Sequence, residues 1–168
     1  MLRPMTASEP FSVYTLLRLV HNQWRWVVVA TALLVLVRAI RGAATRRDWQ
    51  RGDNLASVAF LGALDLQLLI GLVLYFFYSP YFQALLQAPK AAMHDAVTRF
   101  YAVEHQTAML LVVVVAHIGR VRSRRLPAAG PARHWVMLWT MAIFFVLTLW
   151  AIPWPWRTVA RPLFRLSW

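Results

Sequence analysis

The stretch Leu55–Tyr78, LASVAFLGALDLQLLIGLVLYFFY, decides the fold. Its one charged residue is Asp65. At about 1.5 Å rise per residue, a helix of this run crosses a hydrocarbon core of about 30 Å. Three more runs of the same character surround it: Trp24–Ile40, Phe100–Ile118 and Trp135–Ile152. The chain therefore reads as an integral membrane protein of the all-α class, an antiparallel four-helix transmembrane bundle running up-down-up-down. Its expected spans are 14–40, 55–78, 98–119 and 134–152, within a single membrane domain over 1–168.

Composition bounds the rest. With 168 residues and 60% hydrophobic content, the pieces between spans are too short and polar for a second, soluble domain. There is no cysteine, so disulfides, thiolate metal sites and Fe–S clusters are excluded, leaving His, carboxylate and Met as strong ligands. The net charge of +12 is not spread as a nucleic-acid surface would have it. Arg38, Arg41, Arg46, Arg47 and Arg51 follow the first span, and Arg120, Arg122, Arg124, Arg125 and Arg133 lie between the third and fourth. These two loops hold ten of the eighteen Lys and Arg residues, which the positive-inside rule places in the cytoplasm. Both termini are then expected on the outer side. Arg157, Arg161 and Arg165 form a basic tail there, read as a contact to phospholipid headgroups.

No cleavable signal is evident, because the first apolar run starts late and carries Arg18 and Arg25. Ser8-Glu9-Pro10 reads as a helix start, with helix one opening near Phe11 or Tyr14. Asp53 or Asn54 is expected to cap helix two, and Tyr81–Lys90 to form a short outer connection. The third helix is expected to begin near Ala91. Pro153 and Pro155, interleaved with Trp154 and Trp156, stop the fourth at the outer interface, where indole rings sit.

A charge in hydrocarbon costs at least about 2.5 kcal/mol, so ionisable residues inside the spans mark candidate sites. In this chain those are Arg25, Asp65, Glu104 and His105. His21 and Arg25 are four apart and share a helix face, with Arg18 three residues before His21. Tyr101 and His105 share a face in the same way. Depth along the helices puts His21 about 9 Å and His105 about 6 Å to the outer side of the midplane. Two imidazoles at one level on facing helices can ligate the iron of a haem b, with Arg18 and Arg25 pairing its propionates. The plainer reading makes His21 an interfacial residue beside Trp24 and Trp26, and His105 a hydrogen-bonding group between helices.

Asp65 reads as a structural ion pair with Arg25, a protonated hydrogen-bonding acid or a proton-path group. Glu104 is expected to reach Arg25 or the outer water. His117 reads as part of a solvated helix end, and His134 as an ordinary interfacial residue. No HxxxH or ExxH spacing and no hydrolase, nucleotide-binding or dinucleotide motif occurs.

The segments HNQWRW at His21–Trp26, LDLQLLIGLVLYF at Leu64–Phe76, RFYAVEH at Arg99–His105, AHIGR at Ala116–Arg120 and AIPWPWR at Ala151–Arg157 together resemble a family of small four-helix bacterial membrane proteins described as cytochrome-b-like. The resemblance covers nearly the whole chain. It implies a haem-binding electron-transfer protein of the bacterial inner membrane, in a respiratory context, with His21 and His105 on the family's pattern. Members often carry a histidine where this chain has Asp65, which is a departure. Two other classes stand beside this reading. One is a non-catalytic structural or assembly subunit of a larger membrane complex; the other is a haem-free quinone- or proton-coupled component using Asp65 and Glu104.

Overall fold

The computed structural model describes residues 12–160; Ser8, Pro10, Arg161 and Arg165 lie outside that range. Every regular element among the described residues is helical. Helix α1 runs Val13–Ala44, opened by Ser12, whose hydroxyl accepts the Thr15 amide at 3.2 Å. Helix α2 runs Arg51–Val73 and continues through a π-helical turn over Leu74–Tyr78. Two short helices follow, α3 at Pro80–Gln87 and α4 at Pro89–His94, each with proline in its first turn. Helix α5, Ala96–Arg99, passes through a second π turn at Phe100–Glu104 into α6, His105–Arg125. Helix α7, Ala132–Ala151, closes the set.

Four of these segments are long and apolar enough to cross a membrane: Val13–Ala44, Arg51–Tyr78, Ala96–Arg125 and Ala132–Ala151. In each, no more than 33% of the most apolar stretch is buried inside the chain. The uncovered remainder is apolar, as lipid contact requires and water would penalise.

Some local expectations are corrected. Helix α2 is capped one turn earlier than expected. Gln50 is its N-cap, while Asp53 takes the third helical position and accepts the Gln50 amide at 2.9 Å, forming a capping box. The Tyr81–Lys90 connection is not a plain loop, because Pro80 and Pro89 each start a helix. The third long helix begins at Ala96, not near Ala91; Asp95 is extended and its carboxylate accepts the Thr98 amide at 2.7 Å.

Packing follows small residues. On α1, Val28, Ala32, Val35 and Ala39 recur at three- and four-residue spacing and are all buried. Ala56 and Ala63 on α2, and Ala108, Ala116 and Gly119 on α6, are buried as well. Between helices in lipid, small side chains allow close backbone approach, which gains dispersion and polar contacts in place of hydrophobic drive. Gly42 lies directly against the His134 ring, and Gly119 against the Thr140 side chain. Phe60 and Phe144 meet edge to face at the centre, 5.0 Å between rings.

The connections at 45–50 and 126–131, both flanked by arginines, lie together. Trp49 N donates to Ala128 O at 2.8 Å, and Gly130 N to the Asp48 carboxylate at 2.7 Å. Gly130 adopts a left-handed conformation, φ 73°, which its missing Cβ permits. Asp53, 1% exposed, accepts from Arg38 Nε at 2.8 Å and from Arg47 Nη1 at 2.7 Å. Arg120 hydrogen-bonds Asn54. His134, expected at an interface, is instead fully buried between Gly42 and Trp49. A glycine on the facing helix is what makes room for its ring.

Candidate functional site

At the opposite end from the arginine loops, α1, α2, α6 and α7 separate around a cavity of about 260 Å³. Helix α1 supplies Tyr14, Arg18, His21, Asn22 and Arg25, all on one stripe of its surface. Helix α2 supplies Gln67, Gly71, Tyr75 and Tyr78 at helical spacing. His105 and Tyr101 come from the third long helix, and Thr148 from α7. Ser79, Tyr81 and Gln106 also border it, and the rest of the wall is apolar, including Leu64, Leu68, Met109 and Phe144.

Both π turns border this space. Each widens its helix by one residue per turn, a feature frequent at functional sites. Tyr75, from the first π turn, donates its hydroxyl to the carbonyl of Ala102, inside the second, at 2.8 Å. Tyr101 stacks on Tyr81 with ring centres 4.9 Å apart and donates to Val159 O at 2.6 Å.

The two histidines are held differently. His105 Nδ1 lies 3.1 Å from Ala151 O; a carbonyl only accepts, so this nitrogen carries the proton and the lone pair of a neutral ring resides on Nε2. His21 Nε2 lies 3.3 Å from the Gln67 amide nitrogen, which also donates to His21 O at 3.0 Å. That amide only donates, so His21 Nε2 accepts. A Cβ added at Gly71 would stand 3.1 Å from His21 Cε1, closer than nearly all real contacts, so glycine here gives the imidazole its place.

Several polar atoms of the wall are buried without a hydrogen-bond partner among the described residues: His21 Nδ1, Asn22 Nδ2, Gln67 Oε1 and Thr148 Oγ1. An unmade hydrogen bond on a buried group costs about 1–3 kcal/mol. Unpartnered atoms also occur in the packed loop end, at Trp49, Arg120, Ser123 and His134, but the four here border a void and can present donors and acceptors to a ligand.

His21, His105, Arg18, Arg25 and Tyr101 thus line one cavity, and Asp65 and Glu104 do not. Asp65 is not paired with Arg25; its carboxylate meets His117 Nε2 at 2.9 Å on another face of α2. Glu104 turns away from Arg25 and pairs with Arg99 at 2.7 Å. Arg25 stands over the Trp26 ring at 5.2 Å, and Arg18 over Tyr14 at 5.3 Å. Arg157, read from sequence as a headgroup contact, donates to Trp150 O at 2.9 Å and lies over Phe100.

Gln67, Gly71, Asn22 and Thr148 were not singled out by the search for ionisable residues. A signal existed: Gln67, Gly71 and Tyr75 recur every four residues on one face of an otherwise apolar helix. Asp65 is two residues from Gln67, about 200° round the helix, so the two cannot share a face.

Comparison of the chain with protein-family models, curated proteins and solved structures finds no match. The functional reading therefore stands on these residues and on the motifs that carry them.

Proposed function

We propose that this chain is a membrane-embedded, haem-binding electron-transfer protein of cytochrome-b-like type, with His21 and His105 as the axial ligands. The observation that carries the reading is that imidazoles from two different long helices line a single, mostly apolar cavity. The donor set fits a haem b. His105 has the arrangement of a metal-ligating histidine, with Nδ1–H fixed by a backbone carbonyl and the lone pair on Nε2. Arg18 and Arg25 supply two guanidinium groups for propionates. His21 gives its Nε2 to Gln67, so ligation through that nitrogen requires the amide to release it. When bound, such a group supplies reversible one-electron chemistry at the iron. The protein's part is to fix the two rings, exclude water with apolar walls and neutralise the carboxylates.

The same proposal extends to placement. The partners His21 with Gln67, Trp24 with Ala63 and Arg38 with Asp53 run in opposite order along α1 and α2, which supports alternating helix directions. The clustering of arginines at one end supports the cytoplasmic side for those loops and both termini outside, and the resemblance of the motifs is what points to a bacterial inner membrane.

A second reading has its own support. Asn22 Nδ2 and Thr148 Oγ1, unpartnered among the described residues, can each donate to a ring carbonyl of a quinone headgroup. The absorption spectrum of the purified chain, before and after reduction, tests the two. A redox-sensitive Soret band that disappears in His21→Ala and in His105→Ala supports haem. A colourless preparation whose Tyr and Trp fluorescence is quenched by an added quinone, but not in Asn22→Leu, supports the second. Gln67→Leu is expected to raise haem occupancy by freeing His21; a lower occupancy would count against Nε2 ligation.

A further inference from the structure

The Asp65–His117 pair lies outside the cavity and no part of the proposed redox site uses it. Asp65 stands at the middle of the Arg51–Tyr78 helix, where a membrane is most apolar. Yet the two side chains keep 43% and 47% of their surface uncovered. Their hydrogen bond joins Oδ1 to Nε2, and Oδ2 and the His117 Nδ1 have no partner among the described residues.

The surface around them is apolar and regular. On α2, Val58, Gly62 and Leu69 share the face of Asp65 at intervals of three and four residues; on α6, Val114 and Val121 do the same for His117. Val58, Leu69, Val114 and Val121 are 51%, 59%, 50% and 49% exposed. A Cβ at Gly62 would meet nothing within 4 Å, so one turn from the pair the helix has a notch open to a neighbouring backbone.

Lipid tails offer such a pair no hydrogen bonds, so a half-uncovered acid and imidazole at this depth call for a covering surface that does. In the ion pair of an imidazolium with a carboxylate, Asp65 Oδ2 accepts and His117 Nδ1–H donates, side by side on one face, which makes that face complementary to itself under a twofold rotation about the bilayer normal. We propose that a second copy of this chain docks on the α2–α6 face, burying the Asp65–His117 pair at the centre of a symmetric dimer. This is independent of whether the cavity holds haem or quinone.

The absence of cysteine from the chain permits a direct test in native membranes. Leu55→Cys places a single thiol on the proposed face near the end of α2, and Trp135→Cys places one at a similar level on α7, where Trp135 is 48% exposed. With a short bifunctional maleimide, Leu55→Cys is expected to give a species of twice the chain mass and Trp135→Cys to remain monomeric. Adding Asp65→Leu and His117→Leu to Leu55→Cys should reduce that species severalfold. No dimer from Leu55→Cys, equal dimer from Trp135→Cys, undiminished cross-linking in the leucine pair, or linkage to a different protein would each overturn the proposal. Single-molecule photobleaching of the labelled but otherwise unsubstituted chain in vesicles, expected to show two steps, gives the same answer without mutation; one step would overturn it.

Discussion

The two ends of this bundle differ in how tightly the helices close around their buried polar groups. At the arginine-loop end, Asp53 is enclosed by Arg38, Arg47 and the Gln50 amide, and the helices touch through Gly42 and Gly119. At the cavity end the helices part, two of them widen into π turns, and four buried polar atoms without a partner among the described residues border the open space. One end pairs its buried carboxylate and fills its volume, although Trp49 Nε1, Arg120 Nη1, Ser123 Oγ and both His134 ring nitrogens are buried there without a partner among the described residues; the other gathers its unpartnered groups around an open space. Stability is therefore expected to reside in the first region and ligand chemistry in the second, since sites that bind commonly forgo local stability.

Mutations at the two ends should separate along this line. Asp53→Ala leaves two guanidinium groups around an empty position and is expected to cost about 3–5 kcal/mol, the range for breaking a buried ion pair. Reversible unfolding in detergent measures it, and a variant as stable as the parent would remove the contrast. Gly119→Val drives a side chain into Thr140, and overpacking of that kind costs about 1–3 kcal/mol. Its cavity-end spectrum should be unchanged in the fraction that folds.

The cavity end should behave inversely. Thr148→Val replaces an unpartnered buried hydroxyl with a methyl and is expected to stabilise the ligand-free chain by about 1 kcal/mol. The same change should weaken ligand retention; a destabilised variant would mean that the hydroxyl has a structural partner. Gly71→Ala brings a methyl against His21 and should lower cofactor content with little loss of stability, because alanine is favoured over glycine by about 1 kcal/mol in a helix interior.

The smallest effect concerns the helix that carries His105. Asp95 caps it, and the side-chain hydrogen bond with Thr98 holds its carboxyl below the ordinary value of 3.8. A group depressed in this way stabilises the folded state above its unfolded value, and that contribution is lost as pH falls through its lower folded value. Protection factors at Thr98 and Arg99, corrected for the intrinsic pH dependence of amide exchange, should therefore fall only in acid, and Asp95→Ala should abolish that fall.

Long apolar runs such as Leu55–Tyr78 announced four helices able to cross a membrane, because hydrocarbon thickness fixes a minimum length and leaves the backbone no other way to satisfy its hydrogen bonds. The placement of Asp65 was not legible in this way. Its pairing with His117 depends on the rotation of two helices about their axes, which an almost uniformly apolar sequence does not encode. His134 was misjudged for a related reason: its burial depends on Gly42 of another helix.

By itself the sequence determined the four long apolar helices, their approximate length and the crowding of arginines at one end, since each follows from local composition and the cost of charge in hydrocarbon. The tertiary structure alone decided which polar side chains meet. It brought His21, Gln67 and His105 to one cavity and sent Asp65 to the outer face, because helix rotation and packing at small residues settle side-chain neighbours only once all four helices are in place.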